Sequence, residues 1–261
     1  MKLTYFGQAG VLIETEESRF LIDPYLSNSV VTSGVGDARV FSRSFNPPLL
    51  PEELRGITSI FVTHDHLDHC DPETILPILK NNADCTVIGP HPAMDHLAAV
   101  GAAREQLETI RENTPKTIDK MTVIALPSAH YGLDQNPISG EYPYLGFVVE
   151  LEGKVLYHAG DTILYDGLLE NLRRISPKYD VCFLPVNGRD KEREALGMIG
   201  NLHPEEALQL SDLINAGLLI PLHNDLFASN HLPPQRLDDY ARIHFPDLAI
   251  RWMMPGETLQ I

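Results

Sequence analysis

The chain is poor in cysteine and in basic residues, and it has no long apolar run. Its three cysteines, Cys70, Cys85 and Cys182, are odd in number and widely scattered over 261 residues. That spacing excludes a disulfide framework and a CxxC metal site, and it suits a reducing, cytoplasmic setting. Twenty Lys and Arg stand against thirty-six Asp and Glu, a formal charge of −16. Nucleic-acid binding needs clustered cations to neutralise phosphates, so the charge argues against a nucleic-acid partner and no such partner is expected, whereas a small polar or anionic substrate is compatible with it. The opening "MKLTYFGQAG" lacks the apolar stretch of a signal peptide, and no later segment approaches a membrane span. No membrane partner is therefore expected. Internal repeats, low-complexity tracts and dividing linkers are missing as well, which predicts a single domain over residues 1–261. A hydrophobic content of 43% supplies its core. Association into a homo-oligomer stays open.

What is present reads as strands interspersed with helices. Short strands are expected at Leu3 to Phe6, Val11 to Glu14 and Phe20 to Ile22, the last stopped by Asp23-Pro24. Residues 27–56 are rich in Ser, Gly and Pro, which predicts a long loop with one short helix at its end, either a lid carrying Arg39, Arg43 and Phe45 or a mobile surface loop. "DPETILPILKNN" is a helix with Asp71 at the N-cap and Pro72 at its first position. A strand from Thr86 to Ile88 and a helix near Ala93 to Val100 follow. "YLGFVVEL" and "KVLYHAGD" form a hairpin turned by Glu152-Gly153. "LLENLRRIS" and "PEEALQLSDLINA" are helices, and "DVCFLPV" is a strand. This alternation points to a mixed α/β domain.

Four apolar strands end in polar clusters: "ITSIFVTH", "MTVIALPSAH", "KVLYHAGD" and "GLLIPLHND". Just beyond them lie His64, His66, Asp68, His69, His130, Asp161 and His223. Strand ends at one sheet edge converge in space, so these seven groups can build one site. In "HDHLDH" a turn can aim successive residues at two neighbouring points. Imidazole nitrogen and carboxylate oxygen suit zinc, manganese and iron alike. Surface histidines or N-caps are the bland reading, but so dense a cluster of protonatable rings would repel itself without a partner.

"HDHLDH" resembles the HxHxDH signature of the metallo-β-lactamase superfamily, and "YHAGDT" and the last strand-end His follow in that family's order. "THDHLDHCD", "IPLHNDLFASN" and "PVNGRDKEREALGMIGNLHPEEA" are similar to the branch containing the L-ascorbate-6-phosphate lactonase and related metal-dependent hydrolases. The resemblance implies an α/β fold, a four-layer αββα sandwich of two mixed β-sheets. It also implies two divalent metal ions. His64, His66 and His130 would hold one ion, Asp68, His69 and His223 the other, and Asp161 would bridge them.

Such a pair would supply a metal-bound hydroxide at neutral pH. The expected activity is binuclear metal-dependent hydrolysis, opening a sugar-derived lactone or lactone phosphate. Asp68 carries a second, catalytic expectation: orienting the water or passing its proton to the leaving alkoxide. The alternatives are a phosphodiesterase on a small nucleotide or glycerophospho compound, and an iron-dependent redox or sensor protein. Asn187 and Arg189 are candidates for binding an anionic substrate, against an ordinary loop with Arg189 paired to Asp190 or Glu192. His158 is either a support for the bridge motif or a strand residue facing away, and Asn224 and Asp225 either support His223 or cap a helix. His91, His96, His203, His231 and His244 are assigned to loops and helix starts.

Overall fold

The computed structural model describes residues 1–261. Thirteen strands form two sheets. The first contains β1 (Lys2–Gly7), β2 (Gly10–Glu14), β3 (Arg19–Ile22), β4 (Ser59–Phe61), β5 (Thr86–Gly89), β6 (Leu107–Thr109) and, at its outer edge beside β1, β13 (Thr258–Gln260). β13, β1, β2 and β3 pair antiparallel, whereas β3 to β6 run parallel. The second sheet follows the order β12 (Leu219–Leu222), β11 (Val181–Pro185), β10 (Lys154–His158), β9 (Leu145–Leu151), β8 (Met121–Pro127) and β7 (Lys116–Ile118). It is parallel from β10 to β12 and antiparallel elsewhere. Both sheets are therefore mixed.

The helices are α1 (Ser29–Thr32), α2 (Ala38–Phe41), α3 (Pro72–Asn81), α4 (His91–Ala99), α5 (Leu168–Ile175), α6 (Lys191–Glu194), α7 (Pro204–Leu213) and α8 (Pro234–His244). Three apolar layers account for the stacking. Tyr5, Ile13, Phe20 and Phe61 from the first sheet pack on Val123, Phe147, Leu156 and Phe183 from the second, and all are buried. The opposite face of the first sheet, with Leu12, Leu21 and Val87, is covered by Ile75 and Ile78 of α3 and Ala93 and Leu97 of α4. The outer face of the second, with Val148, Tyr157 and Cys182, is covered by Leu172 of α5, Leu208 of α7 and Leu237 of α8. Alternating side chains that bury both faces of each sheet produce the αββα sandwich. No helix is long and apolar enough to cross a membrane.

Local chemistry places these elements. Asp71 accepts from the Glu73 N–H and caps α3, with Pro72 in the first turn where a missing N–H costs nothing. Glu152 and Gly153, with φ of 52° and 72°, make the tight turn between β9 and β10. Two expectations need correction. The 27–56 segment holds two single-turn helices, α1 and α2, before a final 3-10 turn at Pro51–Glu53. β8 ends at Pro127, with one further backbone bond from the Ser128 N–H to the Tyr144 carbonyl, so His130 sits three residues past the strand rather than at its end. β6, β7 and β13 lack sequence signals strong enough to be read; the sequence reading missed α8, which opens on Pro234 and buries Leu237 and Ala241 at helical spacing.

Candidate metal centre

β4 in the first sheet, and β8, β10, β11 and β12, which all run in one direction in the second, deliver their following loops to one rim of the sandwich. β4 leads into Thr63–Cys70, whose turn is closed by the His69 and Cys70 N–H groups donating to the His66 carbonyl. All seven sequence-predicted donors meet here. His69 Nε2 lies 3.1 Å from His223 Nε2, 3.4 Å from Asp161 Oδ1 and 3.7 Å from Asp68 Oδ2. His223 Nε2 lies 3.1 Å from Asp161 Oδ1 and 3.5 Å from Asp68 Oδ2. Donors bound tetrahedrally at about 2.1 Å stand about 3.4 Å apart, close to the 3.1–3.7 Å of these five contacts.

The other three rings form a second group. His64 and His66 have ring centroids 4.6 Å apart, His66 and His130 5.1 Å, and His64 and His130 5.8 Å. Tyr144 packs 5.2–5.8 Å from all three. Donor atoms of His64, His69 and Asp161 lie within 4.8 Å of one another, so Asp161 stands between the two groups. His64 Nε2, His130 Nδ1 and Asp161 Oδ1 are buried without a hydrogen-bond partner. Orphaned buried polar atoms each cost about 1–3 kcal/mol, a cost that coordination to a cation removes. The donor set and its orphaned atoms fit divalent metal.

The electrostatics agree. Burial, reinforced by the neighbouring rings, pushes the His64 imidazole well below its ordinary range, and burial brings His130 down to about 4. Both rings are neutral at pH 7, the form that ligates. Burial disfavours charge on His69 too, but Asp161, Asp68 and Asp23 outweigh it and push that ring up to about 10. Burial also opposes ionisation of Asp161, yet His223, His69 and His130 hold its carboxyl far below the usual range.

A layer of residues fixes these donors. Asp23, fully buried, takes His69 Nδ1 at 2.8 Å through Oδ2, while the Thr63 N–H and hydroxyl donate to its two oxygens at 2.8 and 2.6 Å. The Gln8 side-chain amide donates to Asp68 Oδ2 at 2.7 Å and lies 3.0 Å from His223 Nε2. Asp225 accepts from the Gln8 N–H and the Tyr5 hydroxyl, both at 2.9 Å, and the His223 N–H donates to the Gln8 carbonyl. Gln8, Asp23 and His223 all occupy the left-handed region, with φ of 59°, 46° and 63°. Strain of that kind persists where surrounding bonds enforce it, typically at functional sites. His158 Nε2 donates to the Ala9 carbonyl, and its Nδ1 accepts from the Gly160 N–H, so it braces the turn that carries Asp161. The sequence reading missed Gln8 and Asp23, whose only signal is their position at the ends of β1 and β3.

The centre opens into a cavity of about 690 Å³, lined by His66, Asp68, Asp161 and His223 among others. His96, assigned to a helix start from sequence, also lines it and is bonded through Nδ1 to Asp65. Asn187 and Arg189 do not line it. The Arg189 guanidinium is held bidentately by Glu206 at 2.6 and 2.7 Å and also bonds the Asn201 carbonyl, while Asn187 accepts from the Asn201 amide. Arg189 thus ties its loop to α7, and its partner is neither Asp190 nor Glu192. Asp190 instead caps α6 and pairs with Arg193. Arg43 bonds the Tyr25, Ser27 and Phe45 carbonyls, which anchors the 27–45 segment.

Comparison with known proteins supports this frame. A family model for a beta-lactamase superfamily domain matches residues 18–224. A "UPF0173 metal-dependent hydrolase" of Caldivirga maquilingensis is 27% identical over 261 residues, covering 99% of this chain and 97% of its own. Among solved structures, Igni18, described as a novel metallo hydrolase from Ignicoccus hospitalis, matches with a TM-score of 0.72 at 21% identity, over 99% of this chain and 97% of that one. An isothiocyanate hydrolase from Delia radicum gut bacteria matches with a TM-score of 0.75 at 19% identity, over 100% and 99%. With four layers, two mixed sheets and a matched span that ends on the last His-bearing loop, the chain belongs to the beta-lactamase superfamily.

Proposed function

We propose that this metal-dependent hydrolase of the beta-lactamase superfamily uses a binuclear centre to open an uncharged lactone or ester. The observation that carries the reading is the clustering of seven nitrogen and oxygen donors, four of which, His66, Asp68, Asp161 and His223, line one cavity. His64, His66 and His130 would hold one ion, Asp68, His69 and His223 the second, with Asp161 between them. The donors are imidazole and carboxylate without thiolate, which accommodates zinc, manganese or iron. When bound, two divalent ions acidify water and polarise a carbonyl oxygen.

The chain's own residues do the rest. Asp23, itself held by the Thr63 N–H and hydroxyl, fixes His69 with its Nε2 toward the other donors and so sets the ligating tautomer. Gln8 engages Asp68 Oδ2, so Oδ1 is the atom assigned to take the proton of the attacking water and return it to the leaving alkoxide. His96, held by Asp65, lines the same cavity.

A phosphorylated lactone and a phosphodiester are weaker candidates, because no Lys or Arg lines the cavity and Arg189 is committed to Glu206. An isothiocyanate, like a lactone, is a neutral electrophilic carbon, and the solved relative of that description adds it to the substrates worth testing. A panel of lactones, aryl esters, isothiocyanates and bis-p-nitrophenyl phosphate decides among them with metal-loaded protein. Faster turnover of the diester than of every neutral substrate would sink the reading.

A further inference from the structure

We propose that the substrate carries an uncharged apolar arm, alkyl or aryl, seated in the cavity between the α1–α2 segment and the loop after α6. The reacting end rests on the hydrolase reading above; the arm rests on the cavity wall. Val30 and Phe41 of the α1–α2 segment, Phe227, and Leu196, Met198 and Ile199 of the loop after α6 all line it. Phe41 and Phe227 meet edge to face at 5.4 Å and give the lining an aromatic pair. At the mouth, Val35 is 75% exposed, Leu196 56% and Ile199 39%.

Single exposed apolar residues need no explanation, but these converge on the same cavity that His66, Asp68, Asp161 and His223 line. The charged wall groups are acidic or imidazole: Asp37, Asp65, Asp68, Asp161, His66, His96 and His223. Asp37 is itself engaged by Arg39. A phosphate or carboxylate on the distal part of the substrate would find no cation there, and sugar hydroxyls against Val30, Phe41 and Met198 would lose water without gaining partners. An apolar arm gains from burial on the same surface.

The test measures binding separately from turnover. Dissociation constants of n-alkyl amides, from acetamide to octanamide, are determined by calorimetry on metal-loaded protein, and kcat/KM is measured for p-nitrophenyl esters of matching length. The expected result is a gain of about two- to fourfold per methylene in affinity and in kcat/KM. Leu196→Lys and Val35→Lys, both at exposed positions that tolerate charge, should flatten the dependence, and so should Phe41→Ser. A chain-length gain in amide affinity with no ester hydrolysed leaves the apolar arm standing and removes ester cleavage. Hydrolysis or binding without dependence on chain length overturns the inference. It is also overturned if Leu196→Lys dissociates a dimer while leaving alkyl affinity unchanged, since these side chains would then serve an interface between copies.

Discussion

Asp23 acts on the centre through His69: its Oδ2 holds Nδ1 at 2.8 Å, which turns Nε2 toward His223 and Asp161. Carboxylates in that position raise the basicity of a ligating imidazole and fix its ring, and their loss commonly lowers metal affinity about 10- to 100-fold. Asp23→Ala is expected to show a loss of that size in chelator competition, with Asp23→Asn retaining part of the affinity. Equal affinity in all three proteins would remove Asp23 from the site. His69 also sets a pH dependence. In the metal-free protein its ring is charged among Asp161, Asp68 and Asp23, with a pKa up from 6.5 to about 10. The stability this contributes is complete below 6.5 and is lost as pH rises through about 10. Thermal midpoints of metal-free protein should therefore fall between pH 7 and pH 10. Metal uptake at pH 7.5 should release a proton from this ring, detectable as a buffer-dependent binding enthalpy. An enthalpy independent of buffer would show that no ring gives up a proton.

Between elements, the turn after β10 decides where Asp161 stands. Gly160 has a φ of 60°, and a Cβ there would lie 2.8 Å from the Thr63 Cβ and 2.9 Å from the Leu145 carbonyl oxygen. Thr63 belongs to the loop that carries His64, so a side chain at 160 presses one ligand loop against the other. Gly160→Ala should cost more than about 1 kcal/mol in denaturant unfolding and weaken metal binding as well. A stable variant with normal metal affinity would mean that the two loops are not held in register here. This coupling also shows what could be read before the structure. "HDHLDH", "HAGD" and the His223 strand end were legible because metal chemistry concentrates donors where apolar strands stop. Gln8 and Asp23 were not, since their hydrogen bonds cross 60 and 46 positions of sequence and their own neighbourhoods read as ordinary strand ends. Arg189 misled for the converse reason: "NGRD" looks available for an anion, but Glu206 reaches it from α7, seventeen residues on. β6, β7 and β13 have three residues each, too few for a period-2 pattern to show.

For the molecule as a whole, the two sheets pack through a shared core and send the loops that carry the candidate donors to the same rim, so a metal bound there would join both halves of the sandwich. His64, His66 and His69 follow the first sheet, and His130, Asp161 and His223 follow the second. The central claim is that one binuclear centre spans them, and the most direct measurement is anomalous diffraction from crystals of metal-loaded protein. Two peaks about 3.5–4 Å apart are predicted, enclosed by the seven donors with Asp161 touching both. A single peak, or a peak among Asp65, Cys70 and His96 with none at Asp161, would contradict the account.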